Sequence, residues 1–336
     1  MPTDLMTLSL TSDIAAARFY DDRYAAGYME EWPDWKKQRI VEMLRQLNLP
    51  ASGTAIDFGC GQGVFAEVLR GALPGWTIYG TDLSDVAVHT AAVRYPQCRF
   101  FRWSDAAVER EALQFDLLFS HHVLEHVLDI DDTWQRMADM LKPTASMLLV
   151  LPCGDPGSLE HDLCQLKIDG IDAANGHRFF YEEEGHVRRL DTRRLASGAA
   201  AHGFAPSRAR YANRFWGAVE WITAAGPDLI RTLTDCSGAA SAPAARRLRR
   251  WQLILMVVSL LRMPAGKLSG LGGRVLSLKT FAKLVAAAIA YPIAWPLDAC
   301  LRRAADREWR SAITGSEMYV AFVRRPLPPD THRASS

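Results

Sequence analysis

Between Thr54 and Leu151, short apolar runs alternate with stretches of helical spacing, a rhythm that predicts parallel strands connected by helices on both faces of a sheet. Five runs, 54–60, 76–83, 98–104, 115–121 and 145–152, are apolar enough to be buried on both sides and read as strands. The segments 64–73, 86–95 and 131–142 carry helical periodicity, the last stopped by Pro143. Further on, 191–204 reads as a helix with Asp191 as its cap and Gly203 as its stop. A strand is expected near 205–213 and a final one at 317–326.

Other stretches depart from that rhythm. Residues 18–47 read as one or two helices with an unusual density of aromatics, so 1–50 is expected to form an N-terminal helical cap. Residues 153–190 are rich in Gly, Asp and His and poor in periodicity, which predicts a long lid or binding loop. The patch 236–245, CSGAASAPAA, reads as a flexible hinge. The main domain is expected at 51–215 plus 316–327, a helical insertion at 216–315 and a disordered tail at 328–336.

Composition narrows the class. With 336 residues, 49% hydrophobic and 23% charged, the chain is globular and has a full core. The balance of 39 Lys+Arg against 38 Asp+Glu argues against a protein that wraps nucleic acid over its whole surface. Six scattered cysteines, with no CxxC pair, suggest neither a disulfide framework nor a zinc knuckle. The N-terminus lacks the basic and apolar regions of a signal peptide, so a cytoplasmic location is expected. Charge is nevertheless localised: residues 231–310 hold fourteen Lys/Arg against four Asp/Glu. A local excess of that size calls for an acidic partner.

The candidate chemistry starts at IDFGCGQG, where the first strand turns into the first helix. Gly59, Gly61 and Gly63 allow close backbone approach to a ligand, Asp57 stands just before them, and Asp82 ends the next strand. The spacing is GxGxG, without the third glycine of the dinucleotide fingerprint. Together with YGTDLS, the WSD after the third strand, FDLLFSHHVLEHV and LKPTASMLLVLP, the chain resembles class I S-adenosylmethionine-dependent methyltransferases. That group includes ubiquinone and menaquinone biosynthesis methyltransferases and many small-molecule and sugar O-methyltransferases. The resemblance spans about 18–215 and 317–326 and implies a doubly wound, Rossmann-like seven-stranded α/β sheet with the N-terminal helical cap and a helical insertion before the last strand. It also implies S-adenosylmethionine as cofactor. Asp57 and the backbone of Gly59, Gly61 and Gly63 would take its methionine end, Asp82 the ribose, Leu83 an adenine face, and Ser104 with Asp105 the adenine edge.

By the same resemblance, His121 or His122 flanks the methionyl portion, and either His126 is a general base, since an imidazole titrating near neutrality suits removal of a hydroxyl proton, or Glu125 and His126 brace the loop by hydrogen bonding. His186, within a GHxR segment, is the second candidate base, and Arg188 a candidate for holding an anionic acceptor. Tyr20 and Tyr24 lie one helical turn apart. Either they bring aromatic faces to a sulfonium or they belong to an amphipathic core. The segment His122–His126 also satisfies the HxxEH pattern of zinc proteases, but that motif needs a continuous helix, and here it follows directly on a buried strand; no metal is expected.

Within the insertion, 245–263 places four arginines before an apolar run and 284–303 reverses that order. Neither run is long enough to span a bilayer, and Pro292 and Pro296 interrupt the second. Arg/Lys flanks with Trp251, Tyr291 and Trp295 fit helices at an anionic membrane surface; a packed subdomain or homodimer interface is the alternative, and no nucleic acid is expected. The combined expectation is O-methylation of a small or lipid-linked acceptor, a polyprenyl-linked sugar or quinone precursor, at the inner face of the membrane. A non-catalytic S-adenosylmethionine-binding protein and an HxxEH zinc hydrolase are the competing readings.

Overall fold

The first two helices, α1 (Asp13–Ala25) and α2 (Asp34–Leu44), lead into an alternating series: β1 (Thr54–Phe58), α3 (Val64–Ala72), β2 (Thr77–Asp82), α4 (Asp85–Arg94), β3 (Arg99–Arg102), β4 (Phe115–His121), α5 (Ile130–Asp139) and β5 (Leu141–Pro152). The computed structural model describes residues 13–103, 113–174, 176–183, 185–269 and 278–325. Ser104, Asp105 and the tail at 328–336 lie outside the described residues. After β5 come α6 (Leu159–Cys164), a two-stranded hairpin of β6 (Ile171–Asp172) and β7 (Arg178–Phe179), α7 (Thr192–Ala201), β8 (Phe204–Ala212), α8 (Trp216–Ala225), α9 (Pro227–Thr234), α10 (Ala242–Ser269), α11 (Leu278–Ser311) and β9 (Glu317–Arg324).

The main sheet has seven strands in the order β3-β2-β1-β4-β5-β9-β8. The pairs β1–β2, β1–β4, β2–β3 and β4–β5 are parallel, which is the doubly wound arrangement that the alternating pattern predicts. Ile56, Leu117, Leu118, Phe119, Met147 and Leu148 are fully buried along its central strands. Each such side chain is worth about 1.5–3 kcal/mol in water removed from apolar surface. Ser84 caps α4 by accepting from the Ala87 N–H, and Asp129 caps α5 by accepting from the Asp132 N–H.

Three local expectations are corrected. Helix α5 ends at Asp139 and not at 142, because Leu141 already pairs with Phe115 and Pro143 lies within the twelve residues of β5. The segment 153–190 is less irregular than its composition predicts. It folds into α6 and the β6–β7 hairpin, and buried Arg189 fastens it, donating to the carbonyls of Cys153 (2.9 Å) and Ser316 (2.8 Å) and pairing with Glu182. Nor is 236–245 a hinge: the Ile168 N–H donates to the Gly238 carbonyl and the Ala240 N–H to that of Leu166, and α10 starts at Ala242.

The chain divides into two units, the first of Met1–Leu151, Arg193–Ala209 and Tyr319–Ser336, the second of Pro152–Thr192 and Arg210–Met318. The first carries most of the large sheet. The second is built around a core that includes Leu159, Leu163, Ile222, Ile230, Leu248 and Leu255. Buried Arg262 on α10 donates to the Glu220 carbonyl (2.7 Å), to Thr223 Oγ1 (2.6 Å) and to Asp298 Oδ1 (2.8 Å), joining α10 to α8 and α11. Helix α11 runs through both Pro292 and Pro296. Among the described residues, no helix is long and apolar enough to cross a membrane.

Candidate functional site

The carboxyl ends of β1, β2 and β4 in the first unit gather the residues that the motifs single out. The turn after β1 is held by the Gly59 and Cys60 N–H groups, both donating to the Thr81 carbonyl at 2.8 and 2.9 Å. Gly59 has φ +77°, and a Cβ there would stand 2.2 Å from Val123 Cγ2, so only glycine fits. Gly61, at φ +50°, would bring a Cβ within 2.9 Å of the Tyr24 hydroxyl. Gly63 precedes α3, and a Cβ there would meet Ala91 and Tyr95 at 2.9 Å.

Two buried carboxylates face this turn. Asp82 accepts from the Gly61 N–H at 2.8 Å with one oxygen and from the Ser84 N–H at 3.0 Å with the other, bridging the turns after β1 and β2. Burial raises its pKa, against the lowering effect of the N–H groups of Ser84, Gly61 and Leu83. Asp57 is raised well above the usual carboxylate range, first by burial and then by the charge of Asp82, while the Ala66 N–H acts the other way. Its Oδ2 is buried and has no hydrogen-bond partner among the described residues. A buried carboxylate oxygen beside a glycine turn, with no donor of its own, matches a ligand that brings a cationic donor. The methionine end of S-adenosylmethionine carries an ammonium, so the site fits that cofactor.

Helix α1 covers part of this edge. Asp21 accepts from Ser84 Oγ and from the Val86 N–H (3.2 Å), which docks α1 on the start of α4. Arg94 fastens the chain after α1 by donating to the Glu30 carbonyl at 2.8 Å and pairing with Glu31. Tyr20 and Tyr24 then face the site together, their ring centroids 6.3 Å apart. The Tyr20 hydroxyl lies 2.9 Å from His126 Nδ1. Burial, followed by the Asp82 charge, pushes the Tyr24 pKa well above its ordinary value.

At the end of β4, buried His121 is enclosed by aromatic rings, with Phe65 at 4.3 Å and Trp32 at 4.5 Å. His122 has φ +55°, its Nδ1 is 3.0 Å from Glu125 Oε1, and the chain up to Asp129 runs through turns. The HxxEH residues therefore do not share one helical face. Leu83 is half-buried just after Asp82, and the neighbouring Trp103 N–H donates to the Asp82 carbonyl at 2.9 Å. His186 and Arg188 belong to the second unit. There His186 Nδ1 is 3.8 Å from Glu182 Oε1 and its Nε2 3.7 Å from Glu183 Oε1.

The structure thus brings Tyr20, Asp57, Gly59, Gly61, Gly63, Asp82, His121 and His126 to one edge of the first unit. Asp21 and Trp32 escape sequence reasoning, since nothing local to them signals their partners on α4 and β4. Tyr24 had a signal in its four-residue spacing from Tyr20.

A family model described as a methyltransferase domain matches residues 26–206. The trans-aconitate 2-methyltransferase of Variovorax paradoxus is 30% identical over 122 residues, 36% of this chain and 47% of that protein. The ubiquinone biosynthesis O-methyltransferase of Rhodopseudomonas palustris is 31% identical over 108 residues, 31% of this chain and 42% of that protein. The chain thus spans about half the length of the curated relatives it matches. Among solved structures, phosphoethanolamine N-methyltransferase 2 of Haemonchus contortus aligns with a TM-score of 0.44 at 14% identity, covering 96% of this chain and 60% of that one.

Proposed function

We propose that this chain, which belongs to the methyltransferase-domain family and has S-adenosylmethionine as its cofactor, transfers a methyl group to a hydroxyl oxygen of a small or lipid-linked acceptor. The observation that carries this reading is the pairing of the unpartnered Asp57 oxygen with a glycine turn that no larger residue fits. When bound, the cofactor supplies a methyl group already activated on a positively charged sulfur. Asp57 and the turn at Gly59, Gly61 and Gly63 hold its methionine end, Asp82 the ribose hydroxyls and Leu83 one adenine face. Ser104 and Asp105 complete the adenine edge in the same reading. Tyr20 and Tyr24 offer aromatic faces to the sulfonium, and His121 flanks the methionyl portion.

Transfer from so reactive a donor rests chiefly on alignment of the acceptor, and proton removal adds to it. The Tyr20 hydroxyl orients the His126 ring, and an imidazole held in one direction suits taking the acceptor's proton. His186, set against two glutamates, is the second candidate base. The acceptor we favour is a polyprenyl-linked sugar or an isoprenoid quinone precursor, met at the inner face of a membrane to which the basic helices bind peripherally. Supporting this are the localised positive charge and a relative whose name places it in ubiquinone biosynthesis.

Calorimetric titration with S-adenosylhomocysteine tests the reading. The wild type should bind saturably and Asp82→Ala should not. His126→Ala should keep that affinity within a few-fold while methyl transfer to membrane-extract acceptors falls about 100-fold. No binding by folded wild type would remove the methyltransferase reading.

A further inference from the structure

Helix α10 presents one side to the solvent that changes character along its length. Arg246, Arg249 and Arg250 come first, followed by Leu253, Val257 and Leu260, and helical spacing puts all six on the same side. The three arginines are exposed; Leu253 is 67%, Val257 45% and Leu260 64% exposed. Rotation of the helix cannot hide this stripe. Leu248 and Leu255 on the opposite side are fully buried in the core of the second unit, and Arg262 is held by Glu220, Thr223 and Asp298. The stripe covers about 20 Å at 1.5 Å per residue.

We infer that this face of α10 is a docking surface for anionic membrane lipid, with the aliphatic end in the acyl boundary and the arginines at the headgroups. The inference rests on the peripheral-membrane reading above and assigns it to residues. Charge complementarity selects the occupant. From residue 236 to residue 297 the chain contains no Asp or Glu, while nine Lys and Arg fall in the same stretch. A second copy docking through the same face would set these arginines against a helix with no acid to pair them. Nucleic acid would leave Leu253, Val257 and Leu260 without a stacking partner, since aliphatic groups offer no aromatic face. A lipid surface satisfies both halves at once: anionic headgroups attract the cations, and burial of the apolar side adds to the binding.

Flotation of the full chain with vesicles tests this. Wild type should bind vesicles of phosphatidylcholine with phosphatidylglycerol, and bind phosphatidylcholine alone far more weakly. Replacing Arg246, Arg249 and Arg250 together by Gln should weaken binding about 100-fold, from roughly fivefold per cation. The triple variant Leu253→Ser, Val257→Ser, Leu260→Ser should weaken it by about tenfold or more at the same thermal midpoint. Arg193→Gln with Arg194→Gln removes exposed positive charge in the first unit and should leave binding unchanged. Wild type that binds while the α10 variants bind equally well overturns the docking face alone. Wild type that ignores anionic vesicles overturns the peripheral-membrane reading as well. A lipid-free dimer, seen by light scattering and broken by the serine variant, gives the face to a second copy and overturns the inference. Methyl transfer is judged separately, by the cofactor titration.

Discussion

Asp57 sends one carboxylate oxygen toward the start of α3 and keeps the other buried without a donor among the described residues, beside an Asp82 that is itself buried. Both groups are raised by burial, so the folded protein holds protons that the unfolded chain would release. An acid raised in this way stabilises fully below its unfolded value, near pH 4, and that contribution is lost as pH rises through the folded value. Without cofactor, the unfolding free energy of the wild type should therefore fall more steeply above about pH 4 than that of Asp57→Asn. Denaturant unfolding across about pH 4 to 8 measures the difference, and parallel curves would mean that Asp57 titrates alike in both states. The arrangement looks costly only while the cationic ligand is missing. An ammonium at the free oxygen lowers the Asp57 pKa again, so cofactor binding should release protons from this residue.

Helices and strands differ in how far they could be read in advance. The strands β1, β2 and β4 were legible because a run of apolar residues and a following glycine or acid are local signals, as in IDFGCGQG. The end of α5 was not, since Pro143 suggested a stop while the pairing of Leu141 with Phe115 decided the boundary. Residues 236–245 have the composition of a linker, and only the distant carbonyl of Leu166 and N–H of Ile168 reveal that they are pinned. In the candidate site the same division holds: Asp57, Asp82 and the glycines carry local motifs, whereas Asp21 and Trp32 act through contacts that periodicity does not encode. The helices of the second unit depend on a contact of this kind. Arg262→Ala takes the shared cation from Glu220 and leaves Asp298 to the more exposed Arg302, and should cost about 3 kcal/mol of stability, measured by denaturant unfolding. Loss within experimental error of zero would mean that apolar packing alone joins α10 to α8 and α11.

For the molecule as a whole, the order of the strands sets a schedule. Strand β9 lies between β5 and β8, yet it follows β5 by the whole of the helical insertion. During synthesis at roughly 5–20 residues per second, the edge of β5 emerges about 10–35 s before the strand that covers it. Over that interval a buried-type strand with a run such as Met147–Leu151 has an open hydrogen-bonding edge, the form of exposure from which aggregation starts. A stop codon placed after Gly315 should accordingly yield insoluble product although every residue of the glycine turn and its acidic partners is present, and the soluble fraction on expression checks this. The ribosome thus delivers the cofactor edge early and its lateral support late, so the soluble yield of this protein should depend on how soon the last strand follows the fifth.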